Sequence, residues 1–268
     1  METHFAMING AGCRFRVTGG TQPPIVFIHE LGGSLESWSD LIDLLDARYN
    51  CIAYDMRGAG MSEKFRGAFD LDTLADDLRA LLRRVDVSGG VTVVAAAAGA
   101  AVAVRFATRH PQHVARLVLA SPALAVPPER REAARQMADR IEIEGLRCMA
   151  DAVLPKAFPE QHWTSKETRT RTLARWHGAD PEGYAAHYRT IIDKGVTREL
   201  ANLYCETLVL SGRDDPFNPP EALQQVVRPA RNLTFEIVEA GHFMCVQSPQ
   251  KVAGLIADFI ETPVSAAR

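Results

Sequence analysis

Three points along the chain carry the pattern of a catalytic centre, and the first of them lacks a reactive group. The apolar residues 91–94 lead into Ala95-Ala96-Ala97-Ala98-Gly99 and then into a second apolar stretch, which predicts strand, sharp turn and buried helix. Such a turn presents a central nucleophile, usually serine, and accepts only small residues two positions to either side. Ala95 and Gly99 meet this size requirement, but Ala97 has no hydroxyl. The setting of a nucleophile is therefore predicted without its attacking atom.

Two titratable side chains follow later strands of the pattern. Asp214-Asp215 comes just after a strand predicted over 207–210, and His242 follows one predicted over 233–238. Ligands bind beyond the carboxyl ends of strands in open α/β sheets, so both should lie near residue 97. His242 would act as general base, and Asp215, rather than Asp214, would fix its tautomer. Alone, each could be a surface histidine or a helix cap, but the chain order nucleophile, acid, base favours the joint interpretation.

The loop after the first parallel strand, predicted over 25–29, can supply backbone donors. Its residues Glu30 to Ser34 contain two glycines, and we expect the N–H groups of Leu31 and Ala98 to form an oxyanion hole. A plain strand-to-helix loop is the alternative. Glu30 places a carboxylate there, which would contact a cationic or hydroxylated substrate and repel an anionic one. Equally, it would point to solvent or pair with an arginine such as Arg57.

The elements that must position these residues alternate between strand and helix. A hairpin is predicted around Asn9-Gly10, and a helical face of leucines from Leu71 to Leu82 begins behind Asp70 or Asp72. Strands are predicted over residues 5–8, 13–17, 25–29, 51–54, 91–95, 117–120, 207–210 and 233–238. We therefore expect an α/β fold with a mostly parallel, doubly wound sheet and an inserted helical cap. The predicted division is core over 1–126, cap over 127–200 and core again over 201–268.

The composition indicates that the protein acts on a small molecule. Because 30 Lys and Arg balance 33 Asp and Glu without any block of one sign, neither nucleic acid nor a membrane is expected as a partner. The polar N-terminus and the lack of a long apolar run predict a cytoplasmic protein. Five cysteines without CxxC spacing predict neither a disulfide framework nor a zinc site, and most of them should be buried thiols. A homodimer is compatible with these features.

These motifs together resemble the α/β-hydrolase fold superfamily over nearly the whole chain. The resemblance is carried by His29 to Gly33, Asp55 to Ser62, the turn at 95–99, residues 212–216 and Gly241-His242. The Asp-x-Arg-Gly-x-Gly-x-Ser stretch is the most specific part, and the resemblance implies that it organises a loop. Segments 145–159 and 180–184 are similar to those of 3-oxoadipate enol-lactonase-like esterases and C-C hydrolases.

The resemblance implies hydrolysis of a small ester, lactone, amide or vinylogous C–C bond without metal or cofactor. Two positions depart from the family pattern, since Glu30 stands where glycine is usual and Ala97 where the nucleophile is. Three explanations of Ala97 are open. A serine was deliberately replaced there, or the chain is a natural ligand-binding pseudoenzyme. Alternatively, the chain uses His242 and Asp215 alone, as the cofactor-independent dioxygenases of this fold do.

Overall fold

A computed structural model describes residues 2–263 and contains one eight-stranded sheet in the order β1-β2-β4-β3-β5-β6-β7-β8. The first two strands form an antiparallel hairpin, β2 also pairs antiparallel with β4, and all other pairs are parallel. The strands are β1 (Glu2–Ile8), β2 (Ala11–Val17), β3 (Gln22–Ile28), β4 (Tyr49–Tyr54), β5 (Val91–Ala96), β6 (Val114–Ala120), β7 (Glu206–Gly212) and β8 (Leu233–Val238). The mostly parallel α/β fold predicted from the sequence is confirmed.

Helices cover both faces of this sheet. In chain order, the described helices are α1 (Ser39–Leu45), α2 (Leu71–Arg84), α3 (Gly99–Arg109), α4 (Arg131–Glu144), α5 (Arg147–Ala157), α6 (Lys166–His177), α7 (Pro181–Asp193), α8 (Pro220–Val227), α9 (Met244–Gln247) and α10 (Pro249–Glu261), and all but α4 to α7 flank the sheet. Helices α2, α3 and α8 share one apolar core with β3 residues Val26 and Ile28. Helices α1, α9 and α10 share the other with Ile25 and Phe27. Burial on both faces explains why the central strands are almost continuously apolar.

Two local predictions can be compared directly with the backbone. The β1–β2 turn has positive φ at Asn9 (+46°) and Gly10 (+77°), the conformation that tight hairpins favour at Asn-Gly. Helix α2 begins behind Asp70, whose Oδ1 accepts a hydrogen bond from Thr73 N–H at 2.9 Å. Of the two predicted caps, Asp70 is therefore the one used, and Asp72 lies in the first helical turn.

The chain between β6 and β7, named the insertion below, is helical. It contains α4 to α7 and three short 3-10 turns, and its described residues form no strand. Helices α4 and α7 pack together, and Ile141, Trp176 and Tyr184 belong to a third apolar cluster. Leu31 of the core packs against this cluster, which places the insertion over the loop that follows β3.

The cysteines and the helix lengths bear on two further expectations. Cys13, Cys51 and Cys245 are buried free thiols, whereas Cys148 and Cys205 are partly exposed. Burial raises the pKa of Cys13 and of Cys51 to about 12, so both stay protonated near neutral pH.

Across residues 2–263, no helix has both the length and the apolar character needed to cross a membrane.

Candidate active site

Residue 97 lies on a strained turn between β5 and α3. Ala97 has a φ of +46°, in the left-handed region that alanine avoids. Its N–H donates to the carbonyl of Ala120 at 3.0 Å, and its carbonyl accepts from the N–H of Ala123 at 2.9 Å. A Cβ at Gly99 would lie 2.5 Å from the carbonyl oxygen of His29, so only glycine fits there. The turn therefore has the backbone of a nucleophile-presenting turn, with a methyl group at its apex.

His242 and Asp215 meet at the end of the sheet. Nδ1 of His242 lies 2.8 Å from Oδ2 of Asp215, which is the pairing expected from the sequence. The other carboxylate oxygen accepts backbone N–H groups of Phe217 at 2.9 Å and Asn218 at 3.1 Å. Nε2 of His242 is then the ring nitrogen left to accept a proton.

The Asp215 carboxylate is fully buried, which alone would favour its neutral form. The hydrogen bond and charge of His242, together with the two backbone donors, outweigh burial and hold the pKa of Asp215 below its ordinary value. Asp215 is thus ionised at neutral pH and can stabilise a protonated His242. Its neighbour Asp214 points elsewhere, with Oδ2 2.7 Å from Nε2 of His162 in the insertion.

The loop after β3 is held by a buried histidine. Nδ1 of His29 donates to the carbonyl of Glu30 at 2.8 Å, while Nε2 accepts from the N–H of Met56 at 3.1 Å. Within residues 2–263, the N–H groups of Leu31 and Ala98 donate to no other part of the chain. Both residues line the same cavity as Ala97 and His242.

Glu30 has partners that the sequence did not predict. It is 6% exposed, its Oε1 accepts from the Ser37 hydroxyl at 2.8 Å, and the same atom lies 3.6 Å from Nη2 of Arg175. Arg57 pairs instead with Asp77 at 2.9 Å. Glu30 therefore does not face solvent. It has an arginine partner, as one expectation held, but that arginine is Arg175 and not Arg57. The competing expectation, a place on the substrate side, agrees with its position in the cavity wall.

The cavity that these residues share has a volume of about 520 Å³ and a mainly apolar wall. Its acidic, imidazole and guanidinium side chains are those of Glu30, His242 and Arg130, and Arg130 is exposed. The apolar and aromatic members come from α4 to α7, the loop before α4 and loops of the core, and they include Ala97, Ala125, Met137, Met149, Val153, Trp176, Tyr184, Tyr188, Ile191, Phe217 and Phe243. Such a wall suits a small ligand with an apolar body and few polar groups.

Residues 157–163 of the insertion, named the clasp, pack directly on the loop that carries His242. The Phe158 ring stacks on Phe243 with centroids 4.4 Å apart and an interplanar angle of 11°. Phe243 and Phe217 each meet His242 edge to face, at 4.8 and 5.1 Å. The imidazole is therefore confined by aromatic rings as well as by Asp215.

An amide side chain joins the clasp to the same loop. Oε1 of Gln247 accepts from the N–H of Gly241 at 2.9 Å, and its Nε2 donates to the carbonyl of Ala157 at 3.3 Å. Gln247 is 7% exposed, so neither backbone group has water as a ready substitute. The position of His242 is thus coupled to that of the insertion.

The Asp-x-Arg-Gly-x-Gly-x-Ser stretch builds the loop beside the site. The Asp55 carboxylate accepts from the N–H groups of Leu35 at 2.7 Å and Met61 at 2.6 Å, and from Arg14 Nε at 2.6 Å. A Cβ at Gly60 would lie 2.3 Å from this carboxyl group. Asp55 does not line the cavity, which agrees with the loop-organising role implied by the resemblance.

A model of the Alpha/beta hydrolase family matches residues 25–255. The chain belongs to this family. The matched range contains the strained turn, the loop after β3 and the His242–Asp215 pair, so the site lies within the shared fold.

Relatives of this α/β hydrolase have several activities. The 3-oxoadipate enol-lactonase 2 of Acinetobacter baylyi is 25% identical, with 85% of each chain covered. The non-heme chloroperoxidase CPO-A1 of Kitasatospora aureofaciens is 30% identical over 76% of this chain and 78% of its own. A thermophilic esterase from Thermogutta terrifontis superposes with a TM-score of 0.90 at 25% identity, covering 97% of this chain and 98% of that one.

Several contacts of this α/β hydrolase were missed by sequence reasoning. Asn218 could have been found, because a side chain that follows Asp-Pro by two positions often belongs to an aspartate-centred turn. Its Nδ2 also donates to the carbonyl of Ser121 at 3.3 Å, which ties the acid loop to the end of β6. Arg175 and Gln247 carried no such local pattern, since Glu30 and Ala157, with which they interact, are far away in the chain.

Proposed function

We propose that the cavity is an acyl-transfer site for a small ester, lactone, amide or vinylogous C–C bond, here without its nucleophile. The observation that carries the proposal is the conformation of Ala97. It has a φ of +46° at the wall of the cavity that also contains His242. A strained backbone here serves to present a hydroxyl of residue 97 to the ligand, and alanine has no hydroxyl to present.

A serine at position 97 would complete the reaction sequence. Its hydroxyl would attack the carbonyl carbon, and Nε2 of His242 would take the hydroxyl proton and pass it to the leaving group. Asp215 would stabilise the imidazolium, and the N–H groups of Leu31 and Ala98 would hold the oxyanion. Water activated by His242 would then release the acid and restore the hydroxyl. With Ala97, binding and carbonyl polarisation remain but the covalent step is absent.

The relatives support the reaction class. The enol-lactonase and the esterase act on carboxylic acid derivatives by name. A C–N or C–C substrate is consistent with the succinate-derivative hydrolase of Acinetobacter baylyi, which is 23% identical over 91% of this chain. We take a small molecule as the partner of the site.

The test is a comparison of the chain with its Ala97→Ser variant. The variant should hydrolyse aryl esters and lactones faster by about 10³ or more, since the unaltered chain retains only binding and the oxyanion donors. A fluorophosphonate probe makes the test independent of substrate choice, because it should add its mass at position 97 of the variant only. If Ala97→Ser is neither labelled nor faster than the unaltered chain, the proposal is contradicted. In the double variant Ala97→Ser/His242→Ala, both the labelling and the faster hydrolysis should be lost.

A second candidate function follows from the retained His242–Asp215 pair, which can abstract a proton without a nucleophile. The unaltered chain should then consume oxygen with a hydroxyquinolone or hydroxypyridine, and His242→Ala should abolish that uptake. Sustained uptake would favour a dioxygenase over the acyl-transfer proposal. If the chain only binds such ligands, and Ala97→Ser confers no hydrolysis, a ligand-binding pseudoenzyme is the better account.

A further inference from the structure

We infer that Glu30 determines the ligand charge that the cavity accepts, and that it selects a neutral ligand with a hydrogen-bond donor against a carboxylate. The inference deepens the proposed function, since it rests on this cavity being the ligand site. It starts from the one acidic side chain among the described residues that line the wall.

The Glu30 carboxylate is built into the loop after β3. A Cβ at Gly33 would lie 2.6 to 2.8 Å from its Cδ, Oε1 and Oε2, so the space for the carboxylate exists because residue 33 is glycine. The Ser37 hydroxyl and Arg175 both approach Oε1. Along the described chain, no donor forms a hydrogen bond with Oε2. One oxygen is thus anchored and the other is free to accept from a ligand.

The cation nearest to Glu30 is not positioned to contact a ligand in the cavity. Arg175 lies 3.6 Å from Oε1 of Glu30, and it is not among the residues that line the cavity. Arg130, the cationic residue of the wall, is exposed to solvent, where its charge is screened. A ligand carboxylate beside Glu30 would therefore meet a fixed negative charge whose own counter-ion, Arg175, is already paired. His242 and the N–H groups of Leu31 and Ala98 serve neutral and anionic ligands alike, so Glu30 makes the difference between them.

Desolvation and charge then explain why a neutral ligand with a hydrogen-bond donor is preferred to a carboxylate. Removing a ligand carboxylate from water costs free energy that only a close cation or several donors could offset, and the charge of Glu30 adds repulsion. A ligand N–H or O–H instead gains a hydrogen bond to an ionised acceptor, which is stronger than one to a neutral acceptor. The apolar remainder of the wall takes the ligand body.

Three matched probes test the inference on the unaltered chain: benzamide, methyl benzoate and benzoate. Dissociation constants are measured by calorimetry and by quenching of the fluorescence of Trp176, which lines the cavity. Benzamide should bind at least about fivefold more tightly than benzoate, with methyl benzoate between them. Equal affinity for benzamide and benzoate, or no binding of any probe, would overturn the inference.

Variants that remove one charge while keeping a similar side-chain shape test whether the charge of Glu30 sets the preference. Glu30→Gln keeps the shape and the acceptor for Ser37 but leaves Arg175 uncompensated, so benzoate should gain at least about fivefold. Adding Arg175→Gln should remove that gain. Ser37→Ala removes a hydrogen bond without changing charge and should keep the preference of the unaltered chain. If Glu30→Gln does not fold, Arg175→Gln alone should weaken benzoate binding further. An unchanged ratio of benzamide to benzoate affinity in either folded single charge variant overturns the inference.

These measurements are separate from the test of hydrolysis. They use the chain with Ala97, so a failure of Ala97→Ser to hydrolyse esters leaves the binding preference standing. Conversely, if Ala97→Ser hydrolyses esters but the unaltered chain binds benzamide and benzoate equally well, only the role of Glu30 is rejected.

Discussion

Asp214 and Asp215 are consecutive in the chain but hold two different histidines. Asp215 Oδ2 lies 2.8 Å from Nδ1 of His242, and Asp214 Oδ2 lies 2.7 Å from Nε2 of His162 in the clasp. One loop therefore orients the candidate base and anchors the insertion above it. The two contacts differ in burial, because Asp215 is fully buried whereas the Asp214 side chain is 47% exposed.

This difference predicts unequal effects of the same amide substitution. In an Ala97→Ser background, Asp215→Asn should lower kcat by about 10⁴, since it removes the ionised partner that fixes the His242 tautomer. Asp214→Asn should lower kcat less than about tenfold, because exposed ion pairs contribute little. Steady-state kinetics on one ester gives both values. Equal losses would mean that Asp215 has no special role.

A prediction about stability follows from the strain at Ala97. Ala97→Gly should leave the free energy of unfolding unchanged or raise it by about 1 kcal/mol, because relief of the left-handed conformation offsets the entropy of glycine. Ala98→Gly is the matched control, since Ala98 has a φ of −65°. There the substitution relieves no strain and should cost about 0.4–1 kcal/mol, because glycine raises the conformational entropy of the unfolded chain. Urea denaturation of both variants checks the pair, and a larger loss at position 97 would contradict the strain.

Much of the architecture could be predicted because local patterns determine it. The alternation of apolar runs and amphipathic helices gave the parallel strands, and the Asn-Gly pair gave the hairpin. Strand β3 begins earlier than predicted, at Gln22, before two prolines. Its pairing with β4 is irregular between Gln22 and Ile25, which accommodates residues that lack an N–H.

The candidate site was only partly predictable, for a different physical reason. Asp215 and His242 follow neighbouring strands, so topology alone brings them to one edge of the sheet. The contact of Glu30 with Arg175 depends on how helix α6 packs over the loop, and no sequence period encodes that packing. The same holds for the clasp, whose contacts with Gly241 and Phe243 span about a third of the chain.

Gln247 should matter for stability more than its distance from the reacting atoms suggests. Gln247→Leu leaves the buried N–H of Gly241 without an acceptor and should lower the free energy of unfolding by about 2 kcal/mol. Gln225→Leu, at an exposed position of α8, should change it by less than about 0.5 kcal/mol. Chemical denaturation compares them. Similar values for the two variants would show that the amide bridge is dispensable.

His187 predicts a pH dependence of folding. Burial, with a smaller effect of His29, lowers the pKa of His187 to about 3, and its Nε2 lies 2.8 Å from the carbonyl oxygen of Arg57. Because the unfolded chain binds this proton more readily, stability is fully present above about pH 6.5 and is lost as pH falls toward 3, by at most ~1.4 kcal/mol per pH unit.

Denaturation between pH 7 and pH 4.5 measures this slope. His187→Gln keeps a donor for the carbonyl but cannot titrate, so its stability should fall less steeply over that interval. His177→Gln, at an exposed position, should retain the slope of the unaltered chain. An unchanged slope in His187→Gln would assign the acid sensitivity to other groups.

The insertion is fastened to the core at the clasp, and again where Arg175 and His187 reach Glu30 and Arg57. The connection from β6 to α4 lines the same cavity, and its residues Pro127 and Arg130 are exposed there. Its backbone is joined to the later part of the insertion, because Val126 N–H donates to the Ile191 carbonyl at 3.2 Å and the Leu124 carbonyl accepts from Val196 N–H at 2.8 Å. Substitutions at Pro127 or Arg130 therefore change the wall of the cavity without touching His242, Asp215 or residue 97, so ligand fit and bond cleavage can change independently.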